Sequence, residues 1–265
     1  MKYLSSHNNP ELKRLRLLFQ KANERKKQGF FVIEGIREIE KAVMGGYKLK
    51  TIFIEEGCES IFSKILDTLS DVISFSIKKS VFEQISIRSG SEKIIAIAKN
   101  KTHTLEQLKL SDNGIVLVVE SPEKPGNIGA IYRTAAATKM DSIIIANPKT
   151  DFYNPNSIRS CLGSVFLVPT ALAPSSEVIK YLKNNGYKIV TAAIMPNSLD
   201  YDKYHYKGPC AIIMGTESTG LSTPWLESTD QNIIIPMDNS IDSLNLSVSA
   251  GILMYEAKVR KNKLE

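Results

Sequence analysis

Hydrophobic positions along the chain follow two rhythms that alternate from one end to the other. Leu12, Leu15, Phe19 and Ala22 recur every three or four residues, the spacing of one helix face. Asn9 can cap that helix, Pro10 fits its first position, and Glu11 suits its positive end. The pattern predicts one helix running to about Gly29. Phe30 to Gly35 then reads as a buried strand and a sharp turn. A helix follows from Ile36 to Met44, closed by Gly45-Gly46. Lys50 to Glu56 and Ile94 to Ala98 are further strand-like runs, so the first hundred residues describe a small α/β unit. Asn100 to Gly114 is polar and without period, and reads as a linker. Beyond it come short apolar strands at Ile115–Glu120, Ser142–Ala146, Tyr187–Ala193, Cys210–Met214 and Asn232–Pro236, separated by helical stretches. Such strands imply a mostly parallel sheet covered by helices on both faces. Arg159 to Pro169 reads as a helix plus a buried strand. A final helix from about Asn245 to Arg260 is expected to place Val248, Ile252, Tyr255 and Val259 on one apolar stripe.

Composition narrows the classes. The chain has 265 residues, 43% hydrophobic and 23% charged, which suits one or two globular domains. No apolar run reaches the roughly 20 residues that span a bilayer. The N-terminal MKYLSSHNNPELKR has no apolar core for a secretory signal, so a cytoplasmic protein is expected. Cys58, Cys161 and Cys210 lie far apart, and His7, His103 and His205 are isolated, so neither disulfides nor a metal site is expected.

Net charge is +6 and unevenly placed. Residues 1–50 hold 12 Lys/Arg against 5 Asp/Glu, a local +7, whereas the other 215 hold 22 against 23. Lys13, Arg14, Arg16, Lys21 and Arg25 fall largely outside the apolar stripe of the first helix and are the candidate nucleic-acid contacts. A solvated helix face would carry the same charges.

Three segments in the second half each join a strand to a turn through small residues, with polar side chains left over. In PGNIGAIYRTA (Pro125 to Ala135), Gly126 and Gly129 allow close packing at a helix start, while Ile128, Ile131 and Ala135 form its apolar face. Asn127 and Arg133 are left over; capping and a surface ion pair would be their purely structural uses. MGTESTGLS (Met214 to Ser222) approaches a phosphate-binding loop, but Leu221 stands where the lysine is required and Glu217 would repel phosphate, which excludes a nucleoside triphosphatase. IIIPMDNSIDSLNLSVSAGI (Ile233 to Ile252) ends a strand near Pro236 and opens a helix near Ser243 to Asn245, with Ser243 a suitable cap.

Together these segments resemble the three motifs of the SpoU/TrmH family of the SPOUT superfamily. The one departure in the first is Lys124, where the family's aspartate would stand before Pro125. The N-terminal stretch is similar to the substrate-binding domain that precedes many such methyltransferase domains. The resemblance implies a substrate-binding domain over 1–103 and a methyltransferase domain over 104–265, with a C-terminal trefoil knot. It implies an S-adenosylmethionine-dependent RNA ribose 2′-O-methyltransferase acting on rRNA, with tRNA methylation or non-catalytic RNA binding as the alternatives. It assigns the catalytic site to Asn127, Arg133, Glu217, Ser243 and Asn245, and cofactor binding to Met214, Gly215, Gly220, Ile235, Met237 and Leu244. It implies a homodimer. DNA is not expected as substrate, because it lacks the 2′-hydroxyl. A guanidinium cannot act as a base. Arg133 is therefore expected to clamp a phosphate rather than remove a proton.

Overall fold

The computed structural model describes residues 1–69, 72–87, 92–216, 218–238 and 240–262, with side chains up to 259. Two compact units emerge: Met1–Thr102 with Tyr153–Leu167, and His103–Phe152 with Val168–Glu265.

The first unit is built on a five-stranded mixed sheet in the order β1-β4-β3-β5-β2. Its strands are β1 (Lys2–Leu4), β2 (Phe30–Glu34), β3 (Leu49–Glu55), β4 (Ile73–Ile77) and β5 (Ile94–Lys99). Helices α1 (Pro10–Gln20), α2 (Ala22–Gln28), α3 (Ile36–Met44), α4 (Ser63–Asp67) and α5 (Lys79–Phe82) connect them. Strand β1, which has no counterpart in the sequence reading, pairs with β4 in parallel.

The single helix expected up to Gly29 is two helices. Lys21 leaves the helical region at φ −118° and ψ 112°, and Asn9 caps α1 by accepting the Glu11 amide at 2.9 Å. The break turns Ala22 to solvent, and Leu18 joins Leu12 and Leu15 in the core. It also changes the part played by Arg25, which is only 3% exposed. Its guanidinium donates to the carbonyls of Leu18 (2.6 Å) and Phe19 (3.0 Å), two acceptors that the end of α1 leaves open. Arg25 is thereby removed from the RNA-contact set. Arg14 is half-buried over the Phe30 ring, and Arg16 donates to the His7 carbonyl at 3.2 Å. Lys13 and Lys21 are exposed.

The second unit is a seven-stranded sheet in the order β10-β12-β9-β11-β6-β7-β8, every registered pair parallel. The chain runs through β6 (Ile115–Glu120), α6 (Pro125–Ala137) and β7 (Ser142–Ala146). It then contributes α7 (Pro155–Ser160) to the first unit before β8 (Thr170–Ala173), α8 (Ser175–Asn184), β9 (Lys188–Ala192), β10 (Leu199–Asp200), β11 (Cys210–Met214), α9 (Thr223–Ser228), β12 (Gln231–Ile234) and α10 (Leu246–Asn262). Every residue of β6, β7 and β11 is buried, as a sheet covered on both faces requires.

Four expectations change here. The stretch read as a linker carries Leu105 and Leu108 into the core beside Val116, Ile144 and Trp225. Its short turn is closed by a reciprocal Thr104–Gln107 capping box, a local signal that its polar composition hid. Arg159 to Pro169 forms no strand: Leu162 (φ 52°) and Gly163 (φ 76°) turn the chain left-handed, and the strand begins at Thr170. The residues Tyr153–Leu167 do not fold with the 104–265 segment. Tyr153 stacks on Phe31 with ring centroids 4.1 Å apart, and Lys41 donates to the Leu162 carbonyl at 2.7 Å. Finally, the stripe expected to bury α10 is the wrong one. Leu246, Ala250, Leu253, Met254 and Ala257 are buried, whereas Val248 (52%), Tyr255 (55%) and Val259 (45%) are exposed. Both faces are apolar, so periodicity alone chose the larger side chains.

Candidate active site

Strand order reverses about the β6–β11 pair, since β7 and β8 lie beyond β6 and the remaining strands beyond β11. Open α/β sheets bind ligands outside the carboxyl ends of their strands at such a point. The register brings Val119, Met214, Ala192 and Ile233 into one row across β6, β11, β9 and β12. The first two motif segments therefore leave adjacent strands at the same height, and the third leaves β12 next to β9.

After Met214 the chain closes a tight turn. Thr216 and Gly220 exchange both backbone hydrogen bonds at 3.1 Å, and the Thr219 amide donates to Thr216 Oγ1 at 3.1 Å. Gly220 sits at φ +66°, the left-handed region that favours glycine. Gly215 is demanded by contact instead: a Cβ there would lie 2.2 Å from the Gly220 carbonyl carbon and oxygen. Beyond β12, the Asp238 carboxylate accepts the amide (2.9 Å) and the hydroxyl (2.5 Å) of Ser240. The hydroxyl first, then the amide, hold this carboxyl below the ordinary aspartate range.

These two segments enclose a cavity of about 420 Å³, within the range of small-molecule sites. Met214, Gly215, Gly220, Ile235, Met237 and Leu244 all line it, as does Ser243. The sequence reading missed the lining residues Ala192 to Met195, at the end of β9 and just beyond it, which no motif marks. Among the described lining residues Asp242 is the single ionisable side chain. A mostly apolar chamber with backbone exposed at Gly215 and one carboxylate suits a flat heteroaromatic group linked to a net cation. S-Adenosylmethionine has that character.

A second cavity of about 270 Å³ adjoins the first, sharing Thr216 and Leu246. Asn127, Lys124 and Ser218 also line it. Asn127 lies in the first turn of α6, where Lys124 holds the cap position without a side-chain cap bond. Its Oδ1 accepts from Asn245 Nδ2 at 3.1 Å, which joins the first motif to the third. Asn245 in turn accepts from the amides of Ser247 (3.0 Å) and Val248 (3.4 Å), so it, and not Ser243, caps α10. Arg133 is exposed and lines neither cavity. It makes no hydrogen bond or ion pair within the chain among the described residues. Glu217 lies outside the described residues. No group of three or more His, Cys, Asp or Glu able to hold a metal occurs among the described residues, and none of their helices is long and apolar enough to cross a membrane.

The SpoU rRNA methylase family model matches residues 114–255, more than half of the chain. The protein belongs to that family. Residues 9–96 match the MRM3-like substrate binding domain. A Bacillus subtilis relative, the 23S rRNA (guanosine(2553)-2′-O)-methyltransferase RlmP, is 28% identical over 97% of this chain and 100% of its own. The AdoMet-bound rRNA methyltransferase from Sinorhizobium meliloti superposes with a TM-score of 0.88 at 27% identity, covering 97% of both chains. A solved RNA 2′-O ribose methyltransferase is 32% identical, with a TM-score of 0.82 over 98% of this chain and 99% of that one. Members of this SpoU family use S-adenosylmethionine, which matches the chemistry of the larger cavity.

Proposed function

We propose that the protein methylates one ribose 2′-hydroxyl of 23S rRNA. The observation that carries this reading is the convergence of all three motif segments on adjoining cavities at the reversal point of the parallel sheet. S-Adenosylmethionine supplies a sulfonium-activated methyl group. The chain's task is alignment, which contributes up to roughly 7–11 kcal/mol in favourable systems. In this reading Gly215, Ile235 and Leu244 hold the adenosyl part by backbone, and the smaller cavity takes the acceptor nucleoside beside Asn127. Arg133 clamps a substrate phosphate and stabilises developing negative charge with its planar fork. Glu217 orders the cofactor turn or meets RNA, and Ser243 with Asn245 fixes the third segment. The released proton passes to a substrate phosphate or to water. Transfer of labelled methyl from S-adenosylmethionine to unmodified 23S rRNA, with tRNA in parallel, tests the reading. Label on tRNA alone would overturn the substrate assignment.

The first unit serves as the RNA-docking part of this proposal, with Lys13 and Lys21 as exposed contacts and Arg14 and Arg16 beside them. Deleting residues 1–103 would strip the partners of Tyr153 and Phe166, so charge reversal is the cleaner test. The double change Lys13→Glu and Lys21→Glu is expected to weaken RNA binding about tenfold or more and to flatten its log–log salt slope by roughly 1–2. Filter binding across a salt series reads both quantities. Unchanged affinity and slope would remove these lysines from the interface.

A homodimer belongs to the same reading. The exposed stripe Val248, Tyr255 and Val259 on α10 supports it, as does the packing of α10 beside α6, where Gly251 faces Thr134. Tyr255→Glu is expected to shift the protein from dimer to monomer in light scattering after size exclusion. A dimer that survives this change would move the interface elsewhere. The family's trefoil knot and a cytoplasmic location complete the proposal. The knot is supported by the seating of the third segment against the turn that follows β11.

A further inference from the structure

Glu120, the last residue of β6, is 4% exposed and lines neither cavity. Its carboxylate nevertheless collects hydrogen bonds from three separate segments. Oε2 accepts the Ser222 amide at 2.9 Å, and Oε1 accepts the hydroxyls of Ser222 and Ser175, each at 2.8 Å, with Asn147 Nδ2 at 3.3 Å. Ser175 Oγ also receives Trp225 Nε1 at 3.1 Å and Asn147 Nδ2 at 2.8 Å. All four of these contacts donate to the Glu120 carboxyl oxygens. Among the described residues no cation pairs with it. A buried carboxyl group without a counter-ion is costly unless donors are gathered around it, as they are here. Rules of local stability are broken most often where a site needs it.

A second departure sits beside the first. Ser222 occupies the N-cap position of α9, yet its side chain makes no cap bond. The hydroxyl is turned to Glu120 instead, and the backbone amide of the same residue points there too. Ser222 directly follows Gly220 and Leu221, which line the larger cavity. The far limb of the cofactor turn is thus tied by both donors of one residue to the rigid end of a central strand. The near limb is already fixed by β11, which pairs with β6 along its whole length.

We propose that Glu120 is a positioning residue for S-adenosylmethionine, acting through Ser222 to hold the Gly215–Leu221 turn open to the ligand. This rests on reading the larger cavity as the S-adenosylmethionine site. Ser175 provides the internal control: it shares the same carboxyl oxygen but opens α8, and it reaches the segment after the turn only through Trp225 of α9.

The test measures S-adenosylmethionine binding by calorimetry and steady-state methylation on the full-length wild type and Ser222→Ala, Glu120→Gln and Ser175→Ala variants. Ser222→Ala is expected to raise Kd and the KM for the methyl donor about tenfold, with kcat at saturation within about threefold. Ser175→Ala is expected to leave Kd within about twofold while lowering Tm. Glu120→Gln is expected to resemble Ser222→Ala, and a double variant of Glu120 and Ser222 to be less than additive. If Ser222→Ala binds as the wild type does, or if Ser175→Ala weakens binding equally, Glu120 serves only the fold and the proposal fails. That conclusion stands even where Glu120→Gln does not fold. A wild type that shows no binding heat would instead overturn the cofactor reading, and this proposal with it.

Discussion

Gly215→Ala is expected to abolish useful S-adenosylmethionine binding while leaving a folded protein. The added methyl would lie 2.2 Å from the carbonyl carbon and oxygen of Gly220 and 2.5 Å from the amide nitrogen of Leu221. All three are backbone atoms, so no side-chain rotation relieves the overlap. The turn must open, and the paired Thr216–Gly220 hydrogen bonds at its neck are the bonds that opening breaks. The sheet beneath is anchored independently through β6 and β9, so the fold survives a local change at the strand's end. A loss of at least about 100-fold in affinity, roughly 2.7 kcal/mol, is the expected result. Calorimetric titration measures it, and circular dichroism confirms the fold. Affinity within a few-fold of wild type would mean that the turn adapts and that the cavity is not shaped by this close approach. Gly220→Ala should be milder: nothing crowds its Cβ, and only its left-handed backbone is strained.

Arg133→Lys is expected to produce the opposite split. Arg133 lies outside both cavities and makes no bond within the chain among the described residues, so its replacement should change neither Tm nor the affinity for S-adenosylmethionine. Turnover on saturating RNA should fall by about 10²–10³, the usual effect of removing a donor aimed at developing charge. Lysine keeps the charge but not the bidentate fork, which separates a geometric requirement from simple attraction. Full turnover by the lysine variant would end the clamp role. A loss of donor binding would show that the residue reaches the larger cavity after all. Paired with Gly215→Ala, the experiment divides the site into a part that holds the donor and a part that acts on RNA.

Much of this site can be read in the chain because it is made of backbone. Turns that bring main-chain groups against a ligand need small residues and left-handed positions, and those needs are local. Turn chemistry marks Gly215 and Gly220, the family resemblance of the motifs pointed to Met214, Ile235, Met237 and Leu244 beside them, and one cavity gathers all six. The alternation of short apolar strands with helices likewise specified a covered parallel sheet, since residues buried on both faces have to be apolar throughout. Positions that depend on a distant partner were not legible. Arg25 looks like any exposed basic residue until the helix breaks at Lys21 and open carbonyls come within reach. The segment Tyr153–Leu167 joins the first unit through rings more than a hundred residues away in sequence. On α10 two apolar faces compete, and only packing against α6 and the sheet decides that the smaller one, around Ala250 and Ala257, goes inside. Glu120 is the sharpest case: in sequence it merely ends a strand, and its partners, from the segments that follow β7, β8 and β11, reach it only after the sheet has formed. Local periodicity and turn chemistry thus determined most of the elements, and the resemblance of the motifs pointed to residues that line the larger cavity. Tertiary structure alone decided which polar groups are buried, which faces remain bare, and what holds the turn in place, because those outcomes are set by contacts between residues far apart along the chain.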